Sequence, residues 1–366
     1  MSAPARHARP YRHGLVLGKF YPPHAGHHHL VRTALAQCDR LTVLVCAASV
    51  ESVPLAERVT WMREAHPDAE VVGAVDDHPV DLHDPAVWDA HMAVFRTAVP
   101  DPVDAVFTSE SYGTELARRF GAAEVLVDLD RTTYPVSGTA VRKDPLGCWA
   151  YLGPGVRAAL TRRVVVLGAE STGTTTLSQA LAAHYRARGG VWTDTGWVPE
   201  YGRTFSEEKL TAMRATDPGA DWTDVEFTSE EFPLIARRQD ADEQREARTG
   251  SPVLFCDTDS FATTIWHERY LGAPSPEVAA VADRTPRHLY LLTDHEGVPF
   301  EDDGLRDGPH LRPWMTGRFR TELERTGRRY LLVTGDPEQR LRTAVAAVDD
   351  LLAEGWHFAD PLPEHR

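Results

Sequence analysis

The stretch Gly18-Lys19-Phe20-Tyr21-Pro22-Pro23-His24-Ala25-Gly26-His27 follows a short apolar run, Gly14-Leu15-Val16-Leu17, and precedes a helical pattern. A strand that ends in a glycine-containing turn before a helix is where an α/β sheet handles phosphate. Gly18 and Gly26 let backbone N–H groups approach phosphate oxygens, and Pro22 and Pro23 stiffen the approach. His24 and His27 stand three residues apart, so both imidazoles can face one bound triphosphate. Each can offer a hydrogen bond or a positive charge to oxygens that gain charge in the transition state. The plain alternative is a surface turn with two histidines and no chemistry.

A second motif, Val136-Ser137-Gly138-Thr139-Ala140-Val141-Arg142, weighs against that alternative. Ser137 reads as a helix N-cap, Thr139 as a first-turn residue, and Arg142 lies one turn on. A helix N-terminus carrying hydroxyls and one arginine makes a second clamp for a triphosphate. The competing reading is an ordinary capped helix with a solvated arginine.

Together the two motifs resemble the H-x-G-H and S-x-T-x-x-R signatures of the nucleotidylyltransferase superfamily. The G-K-F-Y-P-x-H-x-G-H form is similar to that of the nicotinamide mononucleotide adenylyltransferases, and among them to the bifunctional NadR type. The likeness continues through Phe107-Thr108-Ser109-Glu110, Val125-Leu126-Val127-Asp128 and the turn at Arg131, so it covers most of residues 12–152. The resemblance implies that His24, His27 and Arg142 hold the ATP phosphates, with Gly18, Lys19, Phe20, Gly26, Ser137 and Thr139 completing that site. It also implies that a mononucleotide phosphate attacks the α-phosphorus of ATP and that pyrophosphate leaves with magnesium. Such chemistry is positioning plus charge stabilisation, which suits a turn with no nucleophile and no paired carboxylates.

The chain has 366 residues, enough for two domains, and its 42% hydrophobic content can build ordinary cores. A net charge of −15 argues against a nucleic-acid surface, where clustered Lys and Arg would be needed. Local Arg, His and backbone dipoles can still bind a nucleotide. Cys38, Cys46, Cys148 and Cys256 form no C-x-x-C pair and read as thiols in a reducing, cytoplasmic setting. Residues 1–11 are basic, lack the apolar core of a signal peptide, and read as a disordered lead. No apolar run approaches a membrane span. His28 and His29 read as helix residues after the turn rather than metal ligands. No heptad or long apolar stripe marks an interface, so a homo-oligomer stays open.

Short β-rich runs alternate with helical patterns throughout, which predicts an α/β protein of two doubly wound parallel-sheet domains. In the first half the strands fall near Gly14–Leu17, Leu41–Cys46, Glu70–Val75, Val103–Thr108 and Glu124–Val127, and a five-strand parallel sheet follows. The expected division is a lead at 1–11, a nucleotidylyltransferase Rossmann-like domain at 12–152, a linker at 153–161, a P-loop kinase-like domain at 162–354 and a tail at 355–366. Leu152-Gly153-Pro154-Gly155 is the linker signal. The stretch Ala215–Val225, rich in Asp, Pro and Gly, is expected to be a surface loop.

In the second half, Arg163-Val164-Val165-Val166-Leu167 runs into Gly168-Ala169-Glu170-Ser171-Thr172-Gly173-Thr174-Thr175-Thr176-Leu177. This is the layout of a P-loop, G-x-x-x-x-G-K-[ST], with Thr174 at the lysine position and Thr175 at the hydroxyl that binds magnesium. Gly168, Gly173 and the following helix still form an anion nest, with Glu170, Ser171, Thr174, Thr175 and Thr176 around it. Losing one charge-assisted contact costs on the order of 1.5–3 kcal/mol. As a transition-state contact that is roughly tenfold to a few hundredfold in rate. Arg306, Arg312 and Arg318 are the candidate substitute cations. Cys256-Asp257-Thr258-Asp259 ends a strand, as an acidic pair serving magnesium or a substrate hydroxyl would; its plain reading is the N-cap of the next helix.

The order Glu200-Tyr201-Gly202-Arg203, Asp257-Thr258-Asp259 and Asp302-Asp303-Gly304-Leu305-Arg306 after a G-x-E-S-x-G loop resembles the ribosylnicotinamide kinase domain of NadR-type proteins, over about residues 162–354. The resemblance implies that Glu200, Tyr201 and Arg203 lie near the nucleoside, that Asp257 or Asp259 acts on its 5′-hydroxyl or on magnesium with Thr175, and that Arg306 belongs to a lid. Trp88 is the aromatic residue to weigh for stacking on the nicotinamide ring, against a place in the core. The residues before the first domain are too few for the helix-turn-helix of the family's DNA-binding members. The expected function is therefore NAD salvage on small molecules: AMP transfer from ATP to nicotinamide mononucleotide, joined to ATP-dependent phosphorylation of nicotinamide riboside. No nucleic-acid or membrane partner is expected. Two rivals stand: adenylyl or cytidylyl transfer to another phosphate, and a second domain that senses a nucleotide without turnover.

Overall fold

The computed structural model of the chain describes residues 9–302, 304, 306 and 308–365. Residues 1–8 of the expected lead, and Asp303 and Leu305 of the expected lid, lie outside the described residues. The chain divides into two compact units, one comprising the residues up to 156 together with those from 356 onward, the other residues 157–355.

The first unit carries β1 (Tyr11–Gly18), β2 (Cys38–Ala47), β3 (Glu70–Val75), a short β4 (Val80–Asp81), β5 (Ala105–Thr108) and β6 (Ala123–Leu126). Five of these form a parallel sheet in the order β3-β2-β1-β5-β6. A parallel sheet buried on both faces reads as a continuous apolar run rather than an alternating one, as Val43 to Ala47 does. The alternation is spatial instead. Leu15 and Leu44 point to the face covered by the helices Pro85–Ala98 and Gly113–Phe120, where Trp88, Met92, Phe95 and Leu116 pack. Val16, Val43 and Val45 point to the other face and meet Leu30, Val31, Val59 and Met62 of the helices Ala25–Gln37 and Leu55–Ala65.

The second unit carries β7 (Arg162–Gly168), β8 (Gly196–Val198), β9 (Val253–Asp257), β10 (Leu289–Thr293) and β11 (Tyr330–Val333), again all parallel, in the order β11-β10-β7-β9-β8. Val164 and Val166 bury against Leu177, Leu181 and Tyr185 of the helix Thr174–Ala187 and against Val348 of the helix Pro337–Ala353. Val165 and Leu167 bury against Phe261 and Ile265 of the helix Ser260–Leu271 and Phe319 of the helix Arg312–Arg325.

Several expectations are corrected here. Tyr11 already belongs to β1, where a disordered lead was expected. The expected linker 153–161 contains the helix Pro154–Leu160. The expected loop Ala215–Val225 begins in the last turn of the helix Tyr201–Thr216 and includes a single 3₁₀ turn, Trp222–Asp224. β8 has no counterpart in the sequence reading, because three residues are too few to show a period. The tail returns to the first unit, where β12 (Glu364–His365) pairs in parallel with β4.

The His-containing turn of the first unit rests on a buried ion pair that no motif announces. Arg58 Nη1 lies 2.6 Å from Glu51 Oε2, and both side chains are fully buried. Arg58 also donates to the carbonyls of Val53 and Lys19, and its guanidinium sits 4.3 Å from the centre of the Tyr21 ring. The pair therefore ties the helix Leu55–Ala65 to the turn after β1. Removing one partner leaves the other as an uncompensated buried charge. Arg58→Ala is expected to destabilise the chain by about 3–5 kcal/mol, whereas replacing both residues with apolar ones should recover most of that loss. Urea unfolding of the two variants checks it; a loss under about 1 kcal/mol for Arg58→Ala, the range of an exposed pair, would refute this account of the turn.

Candidate active sites

A cavity of about 480 Å³ opens in the first unit at the carboxyl ends of its strands. Gly18, Lys19, Phe20, His27, Ser137, Thr139 and Arg142 line it, with Trp88 further along the wall. His24 and Gly26 are not among the lining residues. The His24 ring is buried and stacks on His27 with centroids 3.8 Å apart. Gly26 leaves room for that ring, since a Cβ would sit a tight 3.2 Å from it. The His24 backbone N–H donates to His27 Nδ1 at 3.3 Å, which leaves the proton of a neutral ring on Nε2. Burial holds both rings neutral. It pushes His24 down to about 3, helped by the charges of His28 and Arg131. It also lowers His27 well below the usual histidine range, with His24, His28 and Arg131 adding to the effect. The expected offer of a positive charge is thus corrected: both rings are neutral, and His27, the one that lines the cavity, keeps its Nε2–H as a hydrogen-bond donor.

Three cationic side chains line the cavity, Lys19, Arg131 and Arg142, and Arg142 is the one carried by the second motif. Its Nη1 donates to the Tyr21 carbonyl at 2.7 Å and its Nη2 to Thr139 Oγ1 at 3.3 Å. Burial lowers its pKa, yet a guanidinium stays charged. Ser137 caps the helix Gly138–Lys143 by accepting from the Ala140 N–H. Trp88 takes the expected place in the core, packing with Met92 and Phe95 and donating Nε1–H to Leu82 O, and it also lines the cavity. The returning tail was not foreseen. Pro361, Leu362 and Glu364 line the cavity, Glu364 pairs with Lys19 at 2.8 Å, and Tyr21 Oη donates to Ala359 O at 2.8 Å.

The second unit holds a narrower cavity of about 130 Å³. Gly168, Glu170, Ser171, Thr174 and Thr175 form one side, and Glu200, Gly202, Arg203 and Arg306 also line it. Gly173 takes φ +84°, the left-handed conformation that turns the loop into its helix and that an L side chain resists. Thr176 is exposed in the first turn of that helix. The loop is braced from behind. Thr172 Oγ1 donates to Ala169 O and meets Thr293 Oγ1 at 2.7 Å, while Arg340 donates to Thr172 O and Arg312 to Ser171 O.

Asp257 stands at the end of β9, where its Oδ2 accepts from Thr175 Oγ1 and its buried Oδ1 has no hydrogen-bond partner. Desolvation raises its pKa, against the pull of the Thr175 and Thr174 hydroxyls and of Arg203. Asp259 is corrected from a catalytic to a structural residue. It accepts from the Ala262 N–H as an N-cap, accepts from Tyr290 Oη at 2.9 Å and lies 3.4 Å from buried Arg287. Tyr201 is not among the lining residues; its backbone N–H donates to Gln239 and its ring lies under Arg238. Of the proposed substitute cations, Arg306 lines the cavity, Arg312 braces the loop, and Arg318 pairs with Glu268 and Glu322. Desolvation within the cavity, with Asp257 beside it, raises Glu200 to about 8. Five aromatic residues, Trp222, Phe227, Phe232, Trp266 and Tyr270, make up part of the remaining wall.

Comparison with known proteins bears on both sites. A cytidylyltransferase-like family model matches residues 15–144 and an AAA domain model matches residues 163–340. The trifunctional NAD biosynthesis/regulator protein NadR of Salmonella typhimurium is 26% identical over 313 residues, which span 80% of this chain and 71% of that protein. The protein of the same name from Escherichia coli K12 aligns equally well. Two solved NadR structures, one in complex with NR and one with NAD and AMP-PNP, superpose with a TM-score of 0.68 at 18% and 20% identity. Each covers 93% of this chain and 96% of its own. The chain is thus similar to NadR-type proteins over most of its length and shares their two-domain fold.

The two glycine turns were found from sequence because a turn is a local object. The aromatic wall, the tail residues and the two loop-bracing arginines come from distant segments; Trp222 stood in a stretch expected to be a loop, Arg312 among the candidate cations and the tail residues in the expected tail, none of them as what they are here. The electrostatics of the first site give a test by titration. His24 has a folded pKa of about 3 against an ordinary value near 6.5, so acid favours the unfolded chain, which binds the proton first. Stability from this ring is complete above about pH 6.5 and is lost as pH falls toward about 3. His24→Gln should flatten the acid side of a melting-temperature profile, and long-range ¹H–¹⁵N spectra at about pH 6 should show His27 neutral with its proton on Nε2. Imidazolium signals at that pH would contradict the assignment.

Proposed function

We propose that the first unit transfers AMP from ATP to nicotinamide mononucleotide, giving NAD and pyrophosphate, and that the second phosphorylates nicotinamide riboside to supply that mononucleotide. The observation that carries the first assignment is a neutral His27 Nε2–H and the Arg142 guanidinium lining one cavity at the end of β1. A phosphate oxygen of the mononucleotide forms the new bond to the α-phosphorus as the bond from that phosphorus to the bridging oxygen breaks. The electron pair leaves on pyrophosphate. His27 donates a hydrogen bond to the oxygens that gain charge, with His24 stacked behind to hold its ring. Arg142 supplies the fixed positive charge, held in place by the Tyr21 carbonyl. His27→Ala should lower kcat by about 10² or more with the fold intact. An unchanged rate would make the ring structural.

In the second unit, Thr175 and Asp257 fit a magnesium ion, as the buried and unpartnered Oδ1 of Asp257 indicates. A bound ion would neutralise β- and γ-phosphate charge. Glu200, with its raised pKa, is suited to take the proton of the attacking riboside hydroxyl. The aromatic wall suits a cationic nicotinamide ring. Arg203 and Arg306 line the cavity and stand in for the lysine replaced by Thr174. We place both activities in the cytoplasm. The four cysteines are free, and no helix among the described residues is long and apolar enough to cross a membrane.

The deciding experiment is product analysis by chromatography with Mg-ATP, offering the mononucleotide and the riboside in separate reactions. NAD from both is expected. No NAD from the mononucleotide would overturn the first assignment, and NAD from the mononucleotide alone would leave the second unit a nucleotide sensor. If Arg203 replaces the lost lysine, Arg203→Met should slow riboside phosphorylation by roughly tenfold to a few hundredfold. Thr174→Lys in that background should restore part of the rate. An unaffected Arg203→Met variant would remove Arg203 from the reaction.

A further inference from the structure

Outside the phosphate turns, one group of side chains in the first unit has the make-up of a metal site. Asp76 follows the end of β3, His78 comes two residues later, and His91 reaches back from the helix Pro85–Ala98. One ligand atom from each lies within 4.8 Å of the other two. His78 Nδ1 is 2.8 Å from Asp76 Oδ1, and His91 Nδ1 is 2.6 Å from Asp76 Oδ2. The Asp76 and His91 side chains are 6% and 12% exposed, so the centre of the group is shielded while His78, at 47%, is open to solvent.

The decisive detail is the second nitrogen of His91. Its Nε2 lies 3.2 Å from Pro79 O. Both ring nitrogens therefore face oxygen acceptors, whereas a neutral imidazole has one proton to give. Either the ring is an imidazolium, or a cation takes the place of the proton on Nδ1 and binds Asp76 as well. In the second case the Nε2–H donation to a backbone carbonyl is the outer-shell hydrogen bond that orients a metal-ligating histidine. Two imidazoles and one carboxylate form a borderline donor set that suits a divalent first-row transition metal over calcium or magnesium, which prefer all-oxygen shells.

We propose that Asp76, His78 and His91 bind one divalent transition-metal ion through the two Nδ1 atoms and the Asp76 carboxylate. All three residues line the same cavity as His27 and Arg142. β3 is separated from β1 by β2, so the strand that leads into Asp76 and the strand that leads into the phosphate turn stand two spacings, roughly 10 Å, apart across the sheet. The site is therefore separate from any magnesium that travels with ATP. Three protein ligands leave coordination positions for water or for a donor atom of whatever occupies the cavity. The ion fastens the segment after β3 to the helix Pro85–Ala98, which is one wall of that cavity.

The test is a cobalt(II) titration of the chelator-treated full chain, read in the visible spectrum and followed by zinc competition. One equivalent is expected, with bands of a mixed nitrogen–oxygen site that zinc abolishes. His91→Gln and His78→Gln should each weaken this binding by about tenfold or more. His78 is half exposed, so its variant tests the site even if His91→Gln fails to fold. Absence of a one-equivalent site, with His91 doubly protonated by ¹⁵N spectroscopy, would overturn the proposal in favour of an imidazolium shared with Asp76. Binding undiminished in the folded variants would overturn it as well, by placing the metal on other histidines.

Discussion

In a parallel sheet every strand must be followed by a crossover, so each strand delivers its carboxyl end, and the turn after it, to the same edge. Both units are parallel throughout. In both, the first long strand lies at the centre of the order, with later strands laid down on either side. The connections after β1 and its neighbours therefore leave in opposite directions and open a crevice above β1, and the same holds for β7. The H-x-G-H turn and the P-loop-like turn occupy these two crevices. Their chemistry follows from their place in the order of strands, because the N-terminus of the next helix adds its unpaired N–H groups there.

That placement makes a chain of net charge −15 able to hold polyphosphate. The positive potential is local and largely built from dipoles. In the first unit the imidazoles are kept neutral by burial and by one another, and of the two lining guanidiniums, Arg131 and Arg142, the latter is held by a carbonyl and a hydroxyl. The Arg58 guanidinium lies beneath the turn, paired with Glu51 and donating to the carbonyls of Val53 and Lys19, where it sets the shape of the turn. Neutral donors have a physical advantage here. They need no counter-ion when the site is empty, and they strengthen only as substrate charge arrives.

The second unit handles its missing lysine differently. Thr174 leaves the loop without a mobile cation, and the arginines nearest the loop backbone, Arg312 and Arg340, are committed to carbonyls. Charge enters the cavity from its other walls, through Arg203 and Arg306. The carboxyls divide by environment. Asp257 is held by a threonine hydroxyl beside the loop, Glu200 is raised by desolvation, and Asp259 is absorbed into the fold with Arg287 and Tyr290. Two aspartates two residues apart on one strand end thus serve different purposes, since adjacent alternate positions meet different neighbours once the next helix begins at Ser260.

What the sequence by itself determined is the α/β alternation, the two strand–turn–helix phosphate sites, the Ser137 cap and the Thr174 departure. All of these rest on local physics: apolar periodicity, the backbone freedom of glycine, and side chains that bond within one turn of their own residue. The tertiary structure alone decided the rest. Arg58 and Glu51 read as surface charges until the helix Leu55–Ala65 closes over the turn. Asp257 and Asp259 are indistinguishable until β9 and β10 place Tyr290 and Arg287 around one of them. The aromatic wall from Trp222 to Tyr270 spans several elements. The tail finds its place only when β12 meets β4, nearly three hundred residues away. Each of these depends on contacts between segments far apart in the chain, whose pairing is set by which buried surfaces fit and which buried charges find a partner, and no short-range pattern records that outcome.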